Sequence, residues 1–280
     1  MKDNKRLKDR NIYLNKLIAF KDTEPVKVIT GIRRCGKSSL LKLLQEHLLN
    51  SGVDKEQIIA INFESLEFQE MSYKDFYKYV SERIAKNKKS YLFFDELQRI
   101  DQWENAVNSF RVDFDCDIYI TGSNSYLLSS EYSTYLSGRY IEIKIYPLSF
   151  GEFIDFHGYR LKTYKTPIGT VKYRAVDDNE EITELRDLFE AYMRYGGMPG
   201  IADVGLDQDK ALTILDGIYS TVVVRDILER EKRRGQRQIT DAELLRKIIL
   251  FLADNIGNNT SLNSVSNTLV SENLLQNRGK

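Results

Sequence analysis

The stretch Gly31-Ile32-Arg33-Arg34-Cys35-Gly36-Lys37-Ser38 follows the pattern G-x-x-x-x-G-K-[ST] of a phosphate-binding loop. Ahead of it, Val26-Lys-Val-Ile-Thr30 is a short β-branched run, and behind it Ser39 to Leu49 repeats leucine at helical spacing. Strand, glycine loop and helix therefore come in the order that phosphate binding needs. Two glycines let the backbone wrap a phosphate with its N–H groups, the helix N-terminus adds a positive dipole end, and Lys37 can reach the β/γ-phosphates. Ser38 is placed to ligate Mg²⁺. Together with Ser39, the eight loop residues form the expected nucleotide-binding set.

A second motif lies downstream. Ser90-Tyr-Leu-Phe-Phe-Asp95-Glu96 is an apolar strand ending in two acids, the form in which an Asp holds the Mg²⁺ shell near a γ-phosphate. Glu96 stands one residue further, where a carboxylate can polarise an attacking water. Between the motifs, Gln57 to Phe63 is a buried-strand candidate and Tyr73 to Ala85 an amphipathic helix. That intervening strand and helix point to the P-loop ATPases with an added strand between those carrying the motifs. After the acids, Asp101 to Arg111 reads as a helix and Asp117 to Thr121 as a fourth strand running into Gly122-Ser123-Asn124-Ser125. Ser123 and Asn124 are either sensors of the γ-phosphate or a plain polar turn. Tyr140 to Ile145 is a fifth strand, and Pro147 to Phe153 follows and closes the sheet region.

The 280 residues carry 41 basic and 41 acidic side chains, so no global charge predicts a nucleic-acid or membrane partner. No run reaches the eighteen or so apolar residues of a membrane span, and the N-terminus lacks the apolar segment of a secretory signal, which leads to an expectation of a cytoplasmic protein. Cys35 and Cys116 stand in no C-x-x-C or Cys/His cluster, against a zinc site or disulfide framework. Cys35 is either redox-sensitive through a lowered pKa or simply a small loop residue. Tyr13, on a short amphipathic helix within Lys5 to Lys21, reads as a core contact rather than an adenine platform.

Gly31-x-Arg33-Arg34-x-Gly36-Lys37-Ser38, Phe94-Asp95-Glu96, Thr121-Gly122-Ser123, Ser137-Gly138-Arg139 and Pro147-Leu148-Ser149-Phe150 resemble the AAA-like ATP-binding proteins of bacteria and archaea, over about residues 10 to 275. The resemblance implies an α/β core with a five-stranded parallel sheet over 1–156, a hairpin and linker over 157–184, a helical lid over 185–237 and a partial winged-helix unit over 238–280. It implies ATP as the nucleotide, and by position Arg139 resembles a finger that reaches a neighbour's γ-phosphate; the other reading is a local pair with Glu142. Self-association through the core is the corresponding expectation, with a DNA or protein partner for the winged-helix unit. Arg225-Asp226 resembles a family signature, and the basic run 230–237 reads as a solvated helix end. Relatives resembling this chain continue well past position 280, so the expectation is either a fragment of a longer ATPase or a C-terminally shortened form. The function that follows is ATP binding with Mg²⁺-dependent hydrolysis, or alternatively a nucleotide-dependent switch with little turnover.

Overall fold

The computed structural model describes residues 7–122, 138–220 and 242–271. Ser123, Asn124, the Arg225-Asp226 pair and the run 230–237 lie outside them. Helices and strands alternate through the first part of the chain: α1 (Asn11–Ala19), β1 (Val26–Thr30), α2 (Lys37–Asn50), β2 (Ile58–Asn62), α3 (Tyr73–Ser81), β3 (Ser90–Asp95), α4 (Trp103–Asp113), β4 (Cys116–Thr121) and β5 (Tyr140–Lys144). The five strands are all parallel, in the order β2-β3-β4-β1-β5. Thus β4 lies between the strand that leads into the glycine loop and the strand that ends in the two acids. Every residue of β1 and β3 is buried, as expected for parallel strands covered on both faces.

Alternation along the strands divides the core in two. Val26 and Val28, Ile59 and Ile61, Leu92 and Phe94, Ile118 and Ile120 face α3 and α4, where Phe76, Val80, Trp103, Val107 and Phe110 complete one cluster. Ring contacts organise that side, with Phe76 set edge-on to Phe63, Phe94 and Phe110 at centroid separations of 5.1, 4.8 and 5.2 Å. The opposite residues, Ile29, Tyr91, Phe93, Tyr119 and Ile143, meet Tyr13, Leu14 and Leu17 of α1 and the leucines of α2. Tyr13 is therefore a core residue.

Lys27 breaks the apolar pattern of β1. It is fully buried, and its ammonium donates to Asp117 Oδ1 at 2.5 Å and to the Thr23 carbonyl at 2.7 Å. Asp117 Oδ2 accepts from the Tyr119 hydroxyl and from the Asp22 N–H, both at 2.8 Å. Burial pulls the Lys27 pKa down, with Asp117 opposing it.

Beyond the sheet, Ser149 and Glu152 form a capping box that starts α5 (Phe150–Phe156), a helix absent from the sequence reading although Ser-x-x-Glu is its signature. Three antiparallel strands follow, β6 (Arg160–Lys165), β7 (Val171–Val176) and β8 (Ile182–Thr183), in that order across a small sheet. Most of this sheet is exposed; Ala175 is buried with Ile154 and Leu188. Helix α6 (Leu185–Tyr195) stops at Gly196, whose φ of +71° suits glycine, and a 3₁₀ segment, Pro199–Val204, follows. Residues 1–211 form one compact unit and 212–280 a second, with α7 (Gln208–Ile218) spanning the boundary. Within the second unit, α8 (Ala242–Asp254) packs on α9 (Leu262–Ser271).

Because Lys27 is fully buried and Asp117 is its ion-pair partner, Asp117→Ala should destabilise the protein by about 3–5 kcal/mol. Exposed Asp178→Ala should stay within about 0.5 kcal/mol. Urea unfolding of both variants checks this, and equal midpoints would remove the buried pair from the stability of the sheet.

Candidate nucleotide-binding site

The loop between β1 and α2 is shaped by close approach. A Cβ on Gly31, at φ +150°, would come 2.4 Å from the Ile145 carbonyl oxygen and 2.8 Å from Cys35 Sγ, so no other residue fits without moving backbone. Gly36, at φ +102°, caps α2 with no side chain bonded to the helix N-terminus, where the first amides of a helix have no intrahelical acceptor. Lys37 is 4% exposed, and its ammonium donates to the carbonyls of Gly31 at 3.1 Å and Ile32 at 3.2 Å, which holds the cation over the loop. Ser38 and Ser39 are exposed in the first turn of α2. Cys35 is fully buried, and desolvation raises its thiol pKa against the weaker pull of Lys37 and Arg10. A buried neutral thiol replaces the redox-sensitive alternative.

The acidic strand end is assembled by one hydroxyl of β4. Thr121 Oγ1 donates to Asp95 Oδ1 and accepts from the Glu96 N–H at 3.1 Å. On the other side Asn62, in register with Asp95, donates to its Oδ2 at 3.3 Å. Both carboxylates are nearly enclosed, Asp95 at 7% and Glu96 at 8% exposure. Glu96 adopts a left-handed backbone, φ +57° and ψ +40°, and Gln98 donates to its Oε2 at 2.6 Å. A non-glycine residue in that region costs about 1–3 kcal/mol and persists only where its surroundings hold it.

Residues 23–154 match the AAA domain family, and residues 186–276 match a domain of unknown function (DUF8612). The chain carries an AAA-type P-loop domain. An uncharacterized protein of Haemophilus influenzae is 40% identical over 270 residues, 96% of this chain and 61% of that protein. One from Methanocaldococcus jannaschii is 30% identical over 248 residues, 87% of this chain and 50% of its own length. The chain thus spans between half and two thirds of these relatives. In fold it is similar to the Walker-type ATPase PABY2304 of Pyrococcus abyssi, with a TM-score of 0.54 at 19% identity, covering 94% of this chain and 84% of that one.

Within this AAA-type domain the remaining polar positions are distributed as follows. Arg139 is exposed just before β5, its carbonyl accepting from the Val26 N–H at 2.9 Å. Glu142 accepts instead from the Thr30 hydroxyl at 2.5 Å, and among the described residues no Arg139–Glu142 ion pair forms. Three residues join the site that sequence reasoning passed over in that role: Asn62, Gln98 and Arg10. Asn62 carried a usable signal, a polar residue at the carboxyl end of a parallel strand, where α/β folds bind ligands. Arg10 carried none, since it lies far from the loop in sequence yet is buried against it.

Thr121→Val keeps the shape of the side chain but strands the buried Glu96 N–H and the Asp95 oxygen. It should cost about 1–3 kcal/mol in chemical denaturation, whereas Thr163→Val on exposed β6 should stay within about 0.5 kcal/mol. Equal effects would mean that the hydroxyl is dispensable at the strand end.

Proposed function

We propose that this chain binds ATP with Mg²⁺ in the 31–39 loop and hydrolyses it, with Glu96 polarising the attacking water. The observation that carries this reading is the linkage of the Asp95 carboxylate and the Glu96 N–H through the Thr121 hydroxyl of β4, the strand between β1 and β3, which fixes both acids at the carboxyl end of β3. The donor set suits magnesium. Among the described residues no cluster of three or more His, Cys, Asp or Glu could hold a metal, and Mg²⁺ typically takes one or two carboxylates together with phosphate oxygens and water. Asp95 and Ser38 would hold the ion, which when bound offsets the charge of the phosphates. Lys37, already positioned over the loop by two carbonyls, supplies the fixed cation.

Strain at Glu96 supports a role beyond ion binding. Its left-handed backbone turns the side chain to where Gln98 holds one carboxylate oxygen, and such outliers are kept where geometry matters more than stability. Lys37→Ala should abolish ATP binding by calorimetry. Glu96→Gln should retain binding and lose about 10²–10⁴-fold in phosphate release. Binding without release in the parent protein would favour the switch reading, and release unaffected in Glu96→Gln would remove Glu96 from the chemistry.

The exposure of Arg139 and its freedom from Glu142 suit a residue that acts across an interface between copies of this chain. Turnover per chain should then rise with protein concentration, and Arg139→Ala should lower it about 10³-fold or more. Mixing Arg139→Ala chains with Lys37→Ala chains should restore activity, because an intact pocket on one meets an intact arginine on the other. If active parent protein shows flat specific activity from nanomolar to micromolar and the mixture stays inactive, the arginine is local.

A further inference from the structure

Arg10 is 4% exposed and spends its guanidinium on two separate targets. Nε and Nη2 make a forked pair with Glu152, at 2.9 and 3.0 Å to the two carboxylate oxygens. Nη1 donates to the Cys35 carbonyl of the phosphate loop at 2.9 Å and to the Tyr146 carbonyl at 3.0 Å. The planar group also stacks on Tyr13, 4.6 Å from the ring centre, and the Tyr13 hydroxyl accepts from the Tyr146 N–H at 3.2 Å. Four of its five N–H bonds are thus used, with a geometry that Lys cannot reproduce.

The bond to Cys35 bears on the loop directly. A trans peptide is planar, so its N–H points opposite to its C=O. Holding the Cys35 carbonyl toward Arg10 turns the Gly36 N–H away from Arg10. Glu152 is itself fixed, since Oε2 accepts from the Ser149 N–H at 2.9 Å and its hydroxyl at 3.0 Å. The preceding residue, Leu148, is pinned in turn: its N–H donates to the Gly197 carbonyl at 2.6 Å and its carbonyl accepts from the Tyr192 hydroxyl at 2.9 Å. A Cβ on Gly197 would lie 2.2 Å from that carbonyl oxygen, so the turn after α6 needs glycine to make this contact.

We propose that Arg10 is a positioning residue of the phosphate loop: it fixes the Cys35–Gly36 peptide with the Gly36 N–H directed at the nucleotide, and the Arg10–Glu152 fork makes that orientation depend on residues 146–152. The nucleotide half of this statement rests on the ATP-binding reading. The loop half does not.

Hydrogen exchange of amides 31–38 in nucleotide-free protein tests the loop half, and calorimetry with Mg·ATP tests the other. Arg10→Lys keeps the charge and loses the fork; loop exchange should rise about ten-fold and ATP affinity fall about ten-fold, the scale of one bond to a charged group. Glu152→Gln touches no loop atom, yet both quantities should move in the same direction, and the double variant should add little to Arg10→Lys. Exchange within β3 and β4 should stay at the parental rate. Parental loop exchange in both single variants overturns the proposal, as does an equal rise in β3 and β4, which would make Arg10 a general stabiliser. If Arg10→Lys does not fold, Glu152→Gln decides alone. Parent protein that fails to bind ATP refutes the functional reading, while the exchange result still judges Arg10.

Discussion

Gly31 lies against the Ile145 carbonyl so closely that a single methyl group would overlap it, and this contact governs much of the site. It presses the phosphate loop onto the end of β5, where the Ile145 N–H also donates to the Thr30 carbonyl at 2.7 Å. The loop therefore has a floor made of backbone, which neither rotates nor titrates. Cys35 fills the space behind it as a buried neutral thiol, and Arg10 seals the outer side. A loop that must present N–H groups to an anion gains from such rigidity, because amides already oriented need no reorganisation when charge arrives.

Polar groups are buried at both ends of the sheet, for different ends. Near the amino ends of β1 and β4, Lys27 and Asp117 satisfy each other along with Tyr119 and the Asp22 backbone. Ion pairs of this kind add little net stability over an apolar core, but removing one partner is costly, so they favour one strand register. At the carboxyl ends, Thr121 holds Asp95 and the Glu96 backbone, while each Asp95 oxygen accepts one hydrogen bond, from Thr121 and from Asn62, of the two it can take. The first cluster is closed upon itself; the second still has valences to offer. On the function proposed above, that difference separates a structural polar core from the site.

The Arg10–Glu152 fork joins segments 142 residues apart in sequence. Glu152 serves the helix cap and the arginine with the same carboxylate. Burial pushes its pKa up, but Arg10 and the Ser149 donors outweigh this and hold the carboxyl below its ordinary range. Its contribution is therefore present above the ordinary carboxylate pKa and is lost as pH falls through the lowered value. The loop and the cap should loosen together in acid.

The strands of the parallel sheet, most of the helices around it and the two phosphate-site motifs were legible in the sequence because they depend on local rules. A β-branched run marks β1 and an apolar run ending in two acids marks β3, leucine spacing marks α2, and the glycines at 31 and 36 announce backbone that no other residue adopts cheaply. The cap of α5 was also written locally, as Ser149-x-x-Glu152, but went unread beside the stronger strand signal. Other features could not be read in order along the chain. That Asn62 and Thr121 flank Asp95 follows from strand order, which places β2 and β4 on either side of β3. That Glu142 goes to Thr30 follows from the β1–β5 pairing, in which strands distant in sequence become neighbours. Arg10 is the extreme case: its helix, its loop partner and its acid come from three segments that only the folded core brings together. The sequence by itself determined the binding loop and its acids, since their chemistry is carried by adjacent residues. Tertiary structure decided which groups hold them in place, since a hydrogen bond across the fold depends on distance in space.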